Sequence, residues 1–101
     1  MIPKSITLNK NKKGIQLEYE DSMFLLLNSA YLRAYSPSAE NKRKLGTLKY
    51  KDYTERFGSV FIKKIESVGN YAIRIIFSDG HDTGIYSWEY LVKIGSKSKN
   101  S

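Results

Sequence analysis

The run Tyr71-Ala72-Ile73-Arg74-Ile75-Ile76-Phe77, closed by Ser78 and Asp79-Gly80, constrains the fold more than any other stretch. Tyr71, Ile73, Ile75 and Phe77 alternate with Ala72, Arg74 and Ile76, so an extended chain would turn one strongly apolar face inward. Asp-Gly is a favoured dipeptide for a tight hairpin, and His81 to Tyr86 is expected to return as the partner strand. Ser87 then stands where a cap is needed for a closing helical turn from Trp88 to Ile94. Glu89 falls near the positive end of that helix.

The same order of signals occurs earlier in the chain. Moved by 58 positions, Ile15, Leu17 and Tyr19 fall on Ile73, Ile75 and Phe77, and Asp21 falls on Asp79. Leu27 falls on Ile85 and Ser29 on Ser87. Each half thus reads as strand, Asp-bearing turn, strand and capped helix, with Met23 to Leu27 as the second strand of the first half. Asn28 or Ser29 is expected to cap a helix over Ala30 to Tyr35, which the residue before Pro37 should end. The predicted class is α+β: two hairpin-plus-helix units forming one mostly antiparallel sheet, with the short helices packed on it.

Between the halves, residues 40–59 are rich in charge, Tyr and Gly and are expected to form a long loop, with a helical turn near Lys51 to Arg56. Val60 to Val68 is expected to resume as a strand. A length of 101 residues suits one domain, assigned to residues 1–95, with residues 96–101 as a flexible basic tail. The 41% hydrophobic content, with eight Tyr, four Phe and one Trp, suffices for an ordered core. The longest apolar run, Met23 to Leu27, is far too short to span a bilayer, and the start of the chain lacks the apolar stretch of a secretion signal. A cytoplasmic protein is expected. The absence of cysteine excludes disulfides and thiolate metal sites.

Lys and Arg outnumber Asp and Glu by 17 to 10, a net charge of +7, which raises the question of an acidic partner. The basic residues gather near the start, in the middle and at the end, as solvated loops and a tail would have them. Nucleic-acid binding through the basic loop 42–56 is one alternative, because Tyr50 and Tyr53 among lysines could stack on bases. The preferred reading packs those tyrosines over the core. Arg56-Phe57-Gly58-Ser59-Val60-Phe61-Ile62 only faintly matches an RNA-recognition signature, lacking its first glycine and a second aromatic motif. A Ser-His-Asp set can be written from Ser87, His81 and Asp79 or Asp82, but no nucleophile elbow surrounds any serine. One histidine cannot supply a two-histidine iron triad, and no phosphate-binding glycine loop is present. No catalysis is expected.

Three blocks carry a family resemblance: Leu32-Arg33-Ala34-Tyr35-Ser36-Pro37-Ser38-Ala39-Glu40, then Val68-Gly69-Asn70-Tyr71-Ala72, then Asp79 through Trp88 with Tyr90-Leu91. In this order they resemble the gamma-butyrobetaine hydroxylase-like N-terminal domain, in its small stand-alone bacterial type. In metal-binding members of that family the domain precedes an iron- and 2-oxoglutarate-dependent oxygenase. There it holds a structural zinc through Leu-Arg-x-x-Cys-Pro-Cys-x-x-Cys and a distant His. The matching positions here are Ser36, Ser38, Asn41 and His81, so the histidine remains and the three thiolates do not. Hydroxyl and amide groups are poor zinc ligands beside thiolate, and the zinc site is expected to be lost.

The resemblance further implies that His81 lies near the Ser36-Pro37-Ser38 turn, where hydrogen bonds among His81, Ser36 and Ser38 would replace the metal clip. Each bond is worth on the order of 1 kcal/mol net, far below a structural zinc. The oxygenase half is absent from this sequence, so the hydroxylase activity does not carry over. The domain also resembles one fused to P-loop ATPases that handle iron-sulfur clusters. The expected role is therefore a non-catalytic accessory domain that docks on a protein partner, serving an iron-sulfur or iron-dependent oxygenase system. Its expected surface is Arg33, Tyr35, Asp82, Tyr86 and Trp88 around Ser36, Ser38 and His81. Another alternative is weak iron binding through His81 with Asp82 or Glu40.

Overall fold

The computed structural model of the chain describes residues 2–38 and 50–98. Six strands and three helices follow one another as β1 (Ser5–Leu8), β2 (Gly14–Glu18), β3 (Phe24–Asn28), α1 (Ser29–Ala34), α2 (Tyr50–Phe57), β4 (Ile62–Val68), β5 (Ala72–Phe77), β6 (Gly84–Ser87) and α3 (Trp88–Ser98). The fold is α+β and every strand pairing is antiparallel. The single sheet expected from the two hairpins is instead divided. β1-β2-β3 form one three-stranded sheet and β4-β5-β6 another. Each hairpin gains its third strand from the segment before it, so each half is a meander completed within its own half.

Alternation explains why two small sheets suffice. Ile15, Leu17 and Tyr19 of the first sheet and Ile73, Ile75 and Phe77 of the second are all buried. They meet Leu25, Leu27, Ile62 and Tyr86 in one shared core, which Leu91 and Ile94 of α3 help to close. A hydrogen bond from Ile62 N to the Lys12 carbonyl, 2.7 Å long, ties the turn after β1 to the start of β4.

The internal echo is real but displaced by one residue in its second strand. Ile15 pairs with Leu27, whereas Ile73 pairs with Tyr86 rather than Ile85. Accordingly Tyr86 is buried like Leu27, while Ile85 is 43% exposed. The second turn holds one more residue, with Gly80 at a φ of 91° that suits glycine. The caps obey the same displacement: Asn28 Oδ1 accepts from Tyr31 N at 2.7 Å, and Ser87 Oγ accepts from Tyr90 N at 3.1 Å. Ser29 is therefore not the cap of α1; its hydroxyl donates to the Val60 carbonyl at 2.7 Å.

Two segments are more helical than expected. Instead of a helical turn within a loop, Tyr50–Phe57 forms an eight-residue helix. Tyr53 and Phe57, four apart, share one side of it. Tyr53 is buried with its ring 5.3 Å from that of Tyr31, which favours the core-packing reading over base stacking for this tyrosine. Residues 42–49 of the basic loop lie outside the described residues. Residues 96–98, assigned to the expected flexible tail, instead continue α3, which runs on through Gly95 to Ser98, and residues 99–101 lie outside the described residues. Gly95 is buried against the Leu25 side chain, where a Cβ would approach to 3.0 Å. Among the described residues no helix is long and apolar enough to cross a membrane.

Candidate functional site

Short α1 ends where Pro37 forbids its continuation, and this end faces the β5–β6 hairpin across the core. Tyr86 in β6 is fully buried and donates its hydroxyl to the Leu32 carbonyl of α1. Tyr90 in α3 donates to the Tyr35 carbonyl at 2.6 Å. These two phenols hold the Ser36-Pro37-Ser38 turn against the loop that leads into β6.

At this junction four polar side chains converge. Ser36 Oγ lies 2.8 Å from His81 Nε2, and Ser38 Oγ lies 3.2 Å from both that nitrogen and Ser36 Oγ. Ser38 Oγ also meets Thr83 Oγ1 at 2.8 Å. Hydroxyls both donate and accept, so the group stays satisfied in either imidazole tautomer. Ser36 is only 3% exposed, and Gly84 explains how it fits. A Cβ at Gly84 would stand 2.7 Å from Ser36 Oγ, so β6 passes this close only without a side chain.

An ion pair forms the rim of the cluster. Arg33 Nε donates to Asp79 Oδ2 at 2.8 Å, while Asp79 Oδ1 accepts the backbone N–H of His81 at 3.1 Å. The guanidinium also lies 4.9 Å above the Phe57 ring, joining α2 to the site. Burial tends to raise the Asp79 carboxyl, but the His81 amide and Arg33 outweigh it and hold it below its ordinary value. Burial and then the Arg33 charge push His81 down, against the opposing pull of Asp79 and Asp82. These influences favour the neutral imidazole, which serves here as a hydrogen-bonding group.

The proposed surface residues do not all reach the surface. Arg33 and the exposed Asp82 do, but Tyr35 is 2% exposed and Tyr86 is completely enclosed. Those two tyrosines build the interior and present no side chain to a partner. Trp88 is anchored elsewhere, its indole Nε1 donating to the Asn70 carbonyl in the β4–β5 turn at 2.8 Å. Asn41 and Glu40 lie outside the described residues. Thr83 is the member that the sequence reading did not single out; its place two positions after His81, next to Gly84, was the available signal.

The Ser-His-Asp set written from the sequence is not assembled by these side chains. Ser87 caps α3 and does not join His81, while Asp79 grips the His81 backbone amide. Two serines meet the imidazole, Ser36 buried and Ser38 exposed, while Asp79 bonds the backbone amide of His81 rather than its ring. For a metal, the described cluster offers one imidazole and three hydroxyls, a donor set that does not suit zinc. No group of three or more His, Cys, Asp or Glu among the described residues could hold a metal ion.

A small α+β domain whose two halves are clasped by a Ser-Pro-Ser turn and one histidine defines the class of this protein. The chain matches the family model described as gamma-butyrobetaine hydroxylase-like, N-terminal, over residues 6–92, and it belongs to that family. It is similar to a protein of unknown function from Acidithiobacillus ferrooxidans that belongs to the DUF971 family. That crystal structure shares 26% identity over 93% of this chain and 92% of its own, with a TM-score of 0.72. Two proteins solved in solution by NMR are also similar, at 33% and 30% identity and TM-scores of 0.72 and 0.69. The matches cover 96% and 98% of this chain and 70% and 76% of theirs. No curated protein matches the chain.

Proposed function

We propose that the chain is a non-catalytic accessory domain of the cytoplasm that docks on a protein partner, in an iron-sulfur or iron-dependent oxygenase system. The observation that carries this reading is the closure of the Ser36–Ser38–His81–Thr83 cluster on itself. Its polar groups spend their hydrogen bonds on one another, which supports a structural clip in place of zinc. The tie to iron enzymes rests on the family alone, whose members join this domain to such systems.

Cross-linked capture from the native host under reducing conditions tests the reading, with wild type compared against an Arg33→Ala/His81→Ala double variant. One defined partner is expected for wild type, weakened when the rim and clip are removed. Elemental analysis of untagged protein supplies the opposing outcome. One firmly held metal ion per chain, abolished by His81→Ala, would replace docking alone with a metal-dependent role.

A further inference from the structure

The two sheets leave an opening where their outer strands face each other. β1 pairs only with β2, and β4 only with β5, so each presents an unpaired edge among the described residues. Between them runs a groove of about 450 Å³ whose apolar lining is Ile6, Leu8, Ile65 and Ile73. Ile6, Leu8 and Ile65 remain half-buried there, although all pack against the core. Its mouth is basic. Lys63 stands at a register shift in β4, Lys64 follows it, and both line the groove. Exposed Lys10 and Lys12 lie in the turn that reaches the start of β4. Lys64 lies 3.3 Å from Glu66, but that carboxylate is held more closely by Arg74, its cross-strand neighbour.

We propose that this groove receives an extended acidic segment of a partner protein, which adds to the β4 edge as a further strand. The proposal rests on the docking function above and names the surface and the partner chemistry. Strand addition uses the free backbone edge for affinity and alternate side chains for specificity. Alternate apolar residues would enter the groove beside Ile65 and Ile73, while acidic ones would meet Lys63 and Lys64. A second copy offering its own β4 edge fits poorly, because that edge carries the same lysines and like charges repel. Single-stranded nucleic acid fits poorly as well, because the groove has no aromatic ring on which a base could stack.

The test uses the full chain and a short peptide of alternating Val and Glu, followed by amide NMR and fluorescence anisotropy. The amides of residues 5–8 and 62–68 are expected to shift, and binding should weaken as salt rises. A Lys63→Glu/Lys64→Glu variant should bind about tenfold more weakly or worse, and a Val-Lys peptide should not bind wild type. Both lysines are exposed, so the variant's remaining amide spectrum reports an intact fold. Equal binding by the variant, or shifts confined to other strands, would overturn the proposal and leave the lysines as guards of a bare edge. Displacement of the peptide by an oligonucleotide at the same amides would overturn the partner class. A captured partner that cross-links only outside the groove sinks the groove while the docking function stands.

Discussion

Gly84 and Ser36 stand 48 positions apart in sequence, yet a methyl group on the glycine would lie 2.7 Å from the serine hydroxyl. The hydroxyl cannot simply swing away, since it is buried and bonded to His81. Gly84→Ala should therefore cost about 1–3 kcal/mol through overpacking. Urea unfolding measures this directly, and the His81 ring signals should shift in the same variant. An unchanged midpoint would show that the two strands can part at little cost.

Tyr86→Phe removes the hydroxyl that bonds the Leu32 carbonyl and meets the Ser36 side chain. The ring stays in the core while the Leu32 carbonyl loses its phenol donor. A loss of about 1–2 kcal/mol is expected for this buried bond.

Acid should act through Asp79. Its folded-state pKa is depressed, so its contribution is fully present above the unfolded value of about 4 and disappears as pH falls through the lower folded value. Wild type should accordingly lose more stability than Asp79→Asn on acidification through this window. Parallel denaturation curves for the two proteins would contradict the Arg33–Asp79–His81 arrangement.

His81 titrates in the opposite chemical sense but with a similar outcome. Its folded pKa is lowered, so unfolding takes up a proton and the stabilisation is complete above about pH 6.5. NMR titration of the imidazole should give a midpoint below that value. Arg33→Met should raise it, since the guanidinium is one cause of the depression and its loss leaves Asp79 unpaired beside the ring.

Metal dependence can be reintroduced by design. Ser36 Oγ, Ser38 Oγ and His81 Nε2 all lie within 3.2 Å of one another. A Ser36→Cys/Ser38→Cys variant offers two thiolates and an imidazole, and should take up zinc and melt at a lower temperature when chelator is added. Wild type should show the same melting temperature with and without chelator.

Much of this architecture is legible from residue order alone. Period-2 alternation located β2 and β5, and Asp79-Gly80 located the second hairpin, because both signals are local. The division into two sheets was not legible, since strand partners depend on how hairpins meet in space. The one-residue displacement of Tyr86 against Leu27 was hidden for a similar reason: turn length, not composition, sets register. Helix α2 was legible only as a helical turn, because its charged residues mask a stripe of only Tyr53 and Phe57. At the site, the meeting of His81 with Ser36 and Ser38 followed from the family pattern. The burial of Tyr35 and Tyr86 did not, because an aromatic with a hydroxyl reads equally well as surface or core until its partner carbonyl is found.

Helix α1 is stapled almost wholly to residues far downstream. Arg33 reaches 46 positions ahead to Asp79, Leu32 receives Tyr86 from 54 ahead, and Tyr31 donates to the Ile94 carbonyl 63 ahead. On a ribosome the first meander can form early, but this helix gains the last of these latches only once Ile94 of α3 has emerged. Any shortening of α3 before Ile94 therefore removes one latch from a segment made more than sixty residues earlier.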